Sequence, residues 1–332
     1  MLRSTLRPAC LAAALGLALA GCWTTESGTT GSVASRGATV ADDPTLLVAT
    51  TRRPVGDPLQ KPWFGTQRAQ GLVFARAQVT PPEASITGRI SSAVRGDWAV
   101  AGVADLAQDG AAAAFAQAAL GRDVLLYVHG YRESFETAAL STAQLSHGIG
   151  FDGATALFTW PSAGSTFNYV GDREAAMWSR DALEELLLAL AHSPSGGRIH
   201  VVAHSMGTLL TLETLRMLRA SGGDAAMARI ASIVMAAPDV DFDLFARSME
   251  KLGPDARKIT VISSRNDRAL AVSSQIAGGV RAGAVDRGRL EALGVRVADA
   301  SEFTGGFINH DLFLSNGDVQ QVVRRAIERA GS

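Results

Sequence analysis

From residue 121 onward, short unbroken apolar runs alternate with longer stretches in which apolar residues recur every three or four positions. Val124–Val128 (VLLYV) has no polar interruption and is flanked by Asp123 and His129-Gly130, which predicts a strand buried on both faces. Ala154–Thr159 (ATALFT, stopped by Pro161), 198–203 (RIHVVA), Ile230–Ala236 (IASIVMA), 258–263 (KITVIS) and 295–298 (VRVA) predict further strands. Helical periodicity covers 135–145, 172–192, Met206–Ala220 and 318–330, the second with Leu183, Leu186, Leu187 and Leu190 on one side. This alternation predicts an α/β domain with a mostly parallel central sheet and helices on both faces. The pattern is weaker over 45–120, where 46–51 and 73–79 predict strands of an antiparallel edge. Residues 237–257 leave room for one helix, so no large cap domain is expected there.

With 332 residues and 47% hydrophobic side chains, the chain can bury a sizeable core. A net charge of −1 gives no electrostatic basis for binding nucleic acid. Two cysteines exclude a disulfide scaffold, a cysteine-rich zinc site and an iron–sulfur cluster. The histidines lack metal-ligand spacing, since His200 and His204 straddle a strand and a turn rather than one helical face. The string Gly148-Ile149-Gly150-Phe151-Asp152-Gly153 matches a dinucleotide fingerprint but precedes a strand, so it offers no helix N-terminus to a pyrophosphate. No metal and no cofactor are expected.

The amino terminus is organised differently. Arg3 and Arg7 precede an apolar run over 9–20, too short for a bilayer core of about 30 Å, and the pattern is that of a signal peptide. It ends in Leu19-Ala20-Gly21-Cys22, which resembles the lipobox of bacterial lipoproteins. That resemblance implies a signal over 1–21, acylation of Cys22 and attachment to a membrane through its lipid. Trp23 stands where an inner-membrane retention signal usually has aspartate, which by the same resemblance implies the outer membrane, facing the periplasm. Residues 22–44, rich in Thr, Ser and Gly, read as a flexible tether, leaving 45–332 as one domain.

The predicted strand over 198–203 runs directly into Ala203-His204-Ser205-Met206-Gly207 and then a helix, the strand–turn–helix context of a nucleophile elbow. Gly207 satisfies the need for a small residue where strand and helix pass closely. Ala203 departs from the usual glycine by one methyl. Together with Tyr127-Val128-His129-Gly130-Tyr131, Phe158-Thr159-Trp160-Pro161-Ser162, Ala236-Ala237-Pro238-Asp239 and Ser264-Arg265-Asn266-Asp267-Arg268-Ala269-Leu270, this order of motifs resembles the α/β-hydrolase superfamily. More narrowly, it is similar to a bacterial family of such hydrolases of unknown function.

A serine needs a base, and the base an orienting acid, in the chain order Ser, Asp/Glu, His. His310 is the only histidine after Ser205 and is the expected base. Asp267, shortly after the strand over 258–263, is the expected acid, with Asp239 after the preceding strand as the alternative. The amides of Met206 and Tyr131 are the expected oxyanion donors. His129, Gly130, Trp160 and Tyr169 are possible pocket residues, with Asp172 beside them. The expected activity is acyl transfer to water, most simply from a carboxylic ester of a small molecule or lipid. Amide, peptide or thioester hydrolysis on the same residues, and a non-catalytic binding module of the cell envelope, are the alternatives.

Overall fold

The computed structural model describes residues 45–55, 61–81, 98–105, 111–119, 121–165, 167–193, 196–221, 223–303 and 310–330. The predicted signal, Cys22 and the tether lie outside the described residues.

Among the described residues nine strands form one sheet: β1 (Thr45–Pro54), β2 (Phe64–Thr80), β3 (Ala99–Asp105), β4 (Val124–Val128), β5 (Ala154–Thr159), β6 (Ile199–His204), β7 (Ile230–Ala236), β8 (Ile259–Ser263) and β9 (Arg296–Asp299). Their order is β3-β2-β1-β5-β4-β6-β7-β8-β9. Every pairing from β1 to β9 is parallel, while β2 is antiparallel to both β1 and β3. The antiparallel edge is therefore β2 and β3, and β1 belongs also to the parallel body. β3 (AVAGVAD) was not legible as a strand, because its alanines and Gly102 carry little β-propensity.

The helices are α1 (Ala111–Ala118), α2 (Phe135–Ile149), α3 (Tyr169–Trp178), α4 (Arg180–His192), α5 (Met206–Ala220), α6 (Asp224–Arg229), α7 (Phe242–Leu252), α8 (Arg268–Ala277), α9 (Arg287–Glu291), α10 (Leu312–Ser315) and α11 (Gly317–Glu328). Alternate strand residues face opposite layers, as strand geometry requires. Val124, Leu126 and Val128 pack with Leu183, Leu187, Leu209 and Phe245 of α4, α5 and α7. Leu125 and Tyr127 pack on the other face with Phe135 of α2 and with Phe313 and Val323 of α10 and α11. Between β7 and β8 stand only α7 and a turn of 3-10 helix, Gly253–Lys258.

Two details depart from the sequence pattern. Residues 172–192 are the greater part of two helices, not one. The break is Ser179, buried, at φ −84° and ψ 0°. Its Oγ donates back to the Ala175 carbonyl at 2.9 Å and lies 2.8 Å from Thr51 Oγ1 on β1; such back-bonding bends helices. The second detail is Gly150, which caps α2 in the left-handed region at φ 61°. The glycine string thus ends a helix instead of opening one.

Replacing Ser179 with alanine removes the tie between this break and β1. Stability is expected to fall by about 1–3 kcal/mol, read as a lower urea midpoint at unchanged slope.

Candidate active site

β6 ends at His204, and the chain turns at once into α5 through Ser205, whose backbone sits at φ 51° and ψ −121°. An L-residue pays for this left-handed conformation. The turn is held by the Ser205 amide donating to Ala236 O at 2.9 Å, and by the Thr208 and Asp239 amides donating to Ser205 O at 3.0 and 3.3 Å. Two glycines permit the crowding around it. A Cβ on Gly207 would meet His129 O at 2.3 Å and Val128 O at 2.6 Å. One on Gly130 would meet Ser205 Cβ and His204 Nδ1 at 3.0 Å, so the loop after β4 passes directly over the serine. Ala203 is fully buried in β6.

Ser205, Asp267 and His310, widely separated in sequence, all lie at the C-terminal edge of the parallel sheet. Asp267 follows β8 and caps α8 by accepting the Leu270 amide on Oδ1 at 3.1 Å. Its Oδ2 faces His310 Nδ1 at 2.7 Å, with the carboxylate buried and the imidazole mostly so. Burial opposes protonation of His310, but the hydrogen bond and charge of Asp267, with Asp311 and Asp239 behind it, carry its pKa above the ordinary 6.5. A small cavity of about 10 Å³ lies against these two residues, bounded by Ala237, Ser264 and Phe313 among others. A larger cleft, walled by Trp98, His147 and Asp152, lies at the opposite end of the strands and touches none of them.

The alternative acid, Asp239, does not meet the imidazole. Tyr169 Oη donates to its Oδ2 at 2.9 Å and Ser273 Oγ to its Oδ1 at 2.7 Å, with Arg281 Nε 3.5 Å away. This buried carboxylate is the hub of a separate cluster. The Tyr169 ring also packs edge-on against Tyr131 at 5.5 Å between ring centroids.

His129 and Trp160 are not pocket residues. Both are fully buried, stacked at 4.8 Å and 12°, beneath the loop that covers Ser205. Trp160 donates its backbone amide to His129 Nε2 at 3.1 Å and its indole N–H to His129 O at 3.0 Å. Nε2 is therefore an acceptor, and Nδ1–H donates to Gly130 O at 2.8 Å. Burial, helped by the charge of Arg52, pushes this histidine down to about 3, so it stays neutral. Asp172 is equally buried, accepting from Ser162 Oγ, from the Ala163 amide at 2.8 Å and from the Arg132 amide at 3.4 Å.

Sequence reasoning missed Arg52. Its guanidinium is buried in β1 and donates to Thr159 Oγ1 (2.9 Å), Gly65 O (3.1 Å), Ser162 O (3.2 Å) and Glu133 O (2.6 Å). Thr159 Oγ1 in turn lies 3.0 Å from His129 Nε2. A continuous polar chain thus runs from β1 under the loop to Gly130. The only sequence signal was an arginine directly after the predicted strand over 46–51.

His204, read in the sequence as an elbow residue, packs against His310. Its ring lies 4.6 Å from that of His310 and 4.8 Å from Phe313, and Nε2–H donates to His310 O at 3.2 Å. Burial and the neighbouring His310 lower it to about 4.

Residues 108–326 match the model of a family described as alpha/beta hydrolase of unknown function (DUF900), well over half of the chain. The chain belongs to this family. The hydrolase matches no curated protein in sequence. Among solved structures it is similar to an uncharacterized protein from Bacillus cereus ATCC 10987, with 13% identity and a TM-score of 0.40 over 63% of this chain and 59% of that one. A protein from Thermoplasma acidophilum described as a predicted CIB-like hydrolase shares 14% identity and a TM-score of 0.37 over 79% and 93% of the two chains. An esterase from Pyrobaculum calidifontis shares 15% identity and a TM-score of 0.35 over 87% and 84%. Among the described residues of the hydrolase, no His, Cys, Asp and Glu side chains group to hold a metal ion, and no helix is long and apolar enough to cross a membrane.

The backbone of Ser205 supplies a test independent of chemistry. Ser205→Gly is expected to exceed Ser205→Ala in unfolding free energy by about 1 kcal/mol, because glycine accepts this conformation. Equal urea stabilities of the two variants would show that the turn stores no strain.

Proposed function

We propose that the chain is a serine hydrolase acting by acyl transfer, with a carboxylic ester as substrate. The observation that carries this reading is the pair His310 Nδ1–Asp267 Oδ2 at 2.7 Å, at the sheet edge where the elbow raises Ser205. In the proposed cycle Ser205 Oγ attacks the carbonyl carbon while its proton passes to His310 Nε2. Asp267 holds the imidazole in the Nδ1–H tautomer and stabilises the imidazolium. The tetrahedral oxyanion collapses, and His310 returns the proton to the departing alcohol. Water then repeats the sequence on the acyl-enzyme, releasing the acid.

The amides of Met206 and Tyr131 are the proposed oxyanion donors. Met206 is the first residue of α5, where amides have no acceptor within the helix. The Tyr131 assignment is supported by His129: the Gly130 carbonyl is held on the imidazole, which turns the N–H of the same trans peptide the opposite way. The Asp172 contact to the Arg132 amide steadies the next peptide.

The hydrolase is further proposed to be anchored through a lipid on Cys22 in the outer membrane, facing the periplasm. The support is the sequence Leu19-Ala20-Gly21-Cys22-Trp23 behind a basic and apolar leader.

A fluorophosphonate probe is expected to label the folded protein covalently, and Ser205→Ala to abolish labelling; label surviving in that variant would sink the nucleophile assignment. Because His310 must be neutral to act as base, kcat/KM is expected to rise with pH to a midpoint above 6.5. Asp267→Asn removes the main cause that raises this midpoint, so the midpoint falls while kcat drops on the order of 10⁴-fold. Asp239→Asn retains turnover and a midpoint above that of Asp267→Asn; the reverse pattern would transfer the orienting role to Asp239.

For the anchor, cells fed radiolabelled palmitate are expected to label the wild-type chain and not Cys22→Ala. A wild-type chain that takes up no fatty acid would refute the lipobox assignment.

A further inference from the structure

We propose that the face around Ser205 docks on a lipid bilayer, so that the substrate is an acyl lipid presented at the membrane surface; the inference rests on the serine hydrolase reading and names its substrate class. Among the described residues seven large hydrophobic side chains are exposed: Val55, Phe167, Val170, Trp178, Val272, Ile276 and Val280. Single exposed apolar residues are ordinary, but grouped ones mark interaction surfaces. Five of the seven lie on the segments that hold one buried carboxylate, Asp239. Phe167, 98% exposed, and Val170 flank Tyr169, which donates to Asp239. Val272 adjoins Ser273, the second donor to Asp239, and Ile276 lies one helical turn further along α8. Val280 adjoins Arg281, the cation beside the same carboxylate. The Asp239 amide itself donates to Ser205 O, so the patch is built around the support of the elbow.

The charge pattern points the same way. Residues 160–171 and 269–280 contain no Asp, Glu, Lys, Arg or His, in a chain where 19% of residues are charged. The second stretch includes nearly all of α8, which is mostly exposed. The exposed face of α11 looks different: that helix carries Asp318, Arg324, Arg325 and Glu328. Moving a charged side chain out of water is costly, and these two stretches have none to move. Such an uncharged rim enters a lipid surface without stripping water from a charge, and that surface is the one that presents acyl esters.

The test compares the full chain with the double variants Phe167→Ser/Val170→Ser and Val272→Ser/Ile276→Ser. Two esters serve as substrates: p-nitrophenyl butyrate in solution, and p-nitrophenyl palmitate in phosphatidylethanolamine–phosphatidylglycerol vesicles. The parent is expected to favour the vesicle-borne ester, and each variant to lower the palmitate-to-butyrate ratio of kcat/KM by about tenfold or more, since each pair removes substantial apolar area. An unchanged ratio, no preference in the parent, or a dimer that the variants turn into monomers by sedimentation would overturn the proposal. If neither ester is hydrolysed, the catalytic reading fails separately. Docking is then decided by flotation of Cys22→Ala chains with the same vesicles, where rim variants must bind more weakly than their parent and equal binding refutes it.

Discussion

The backbone of Ser205 is the constraint around which the domain is arranged. A serine at φ 51° and ψ −121° costs on the order of 1–3 kcal/mol, and it persists only where its surroundings leave no alternative. Those surroundings come from three strands. The Ser205 amide is held by the end of β7, its carbonyl by the start of α5 and by Asp239, and its side-chain carbon lies beneath Gly130 from the loop after β4. With β6 pinned between β4 and β7 in the middle of the sheet, the turn cannot relax without moving the core. Gly207 marks the tightest approach, because even a methyl there would meet two backbone oxygens.

The loop over the serine is fixed by a different economy. Arg52 donates to a threonine hydroxyl and three backbone carbonyls from three separate segments. Burial lowers it to about 10, still far above neutrality, so the group remains a cation. A cation solvated by carbonyls in this way joins several loops at once, which a bidentate ion pair with one carboxylate would not. Thr159 carries the chain on to His129, which has no proton to exchange near neutral pH and serves as a rigid spacer beneath Gly130. Asp172 does the same work from the far side of the loop through the Arg132 amide and Ser162.

The sheet was legible in sequence because its central parallel strands are buried on both faces, and a run such as VLLYV or IASIVMA has no other stable place. The elbow was legible because strand, turn residues and helix are contiguous. What stayed hidden depends on residues far apart in the chain. Nothing local in an arginine at 52 announces carbonyls at 65, 133 and 162. His129 and Trp160, close to the elbow in the fold, read as pocket residues because sequence cannot distinguish a wall from the layer behind it. The break at Ser179 was invisible for a similar reason, since its side chain answers to Thr51 on another element. His204 shows in sequence only as the residue before the elbow serine, because its contact with the carbonyl of His310 joins residues more than a hundred positions apart.

Two buried carboxylates, Asp267 and Asp239, lie near the same histidine, and their different fates follow from where their oxygens are directed. Asp267 gives one oxygen to a helix N-terminus and keeps the other for His310. Asp239 has committed both oxygens, one to Tyr169 and one to Ser273, before any imidazole could compete for them. It therefore acts on His310 only through its field, which adds to the upward shift set by Asp267. Its hydrogen bonds instead reach outward and fix the segments that carry Val170 and Val272. The carboxylate released from orienting the histidine thus couples the elbow to the apolar rim, because the backbone amide of Asp239 supports Ser205 while its side chain sets where the rim stands.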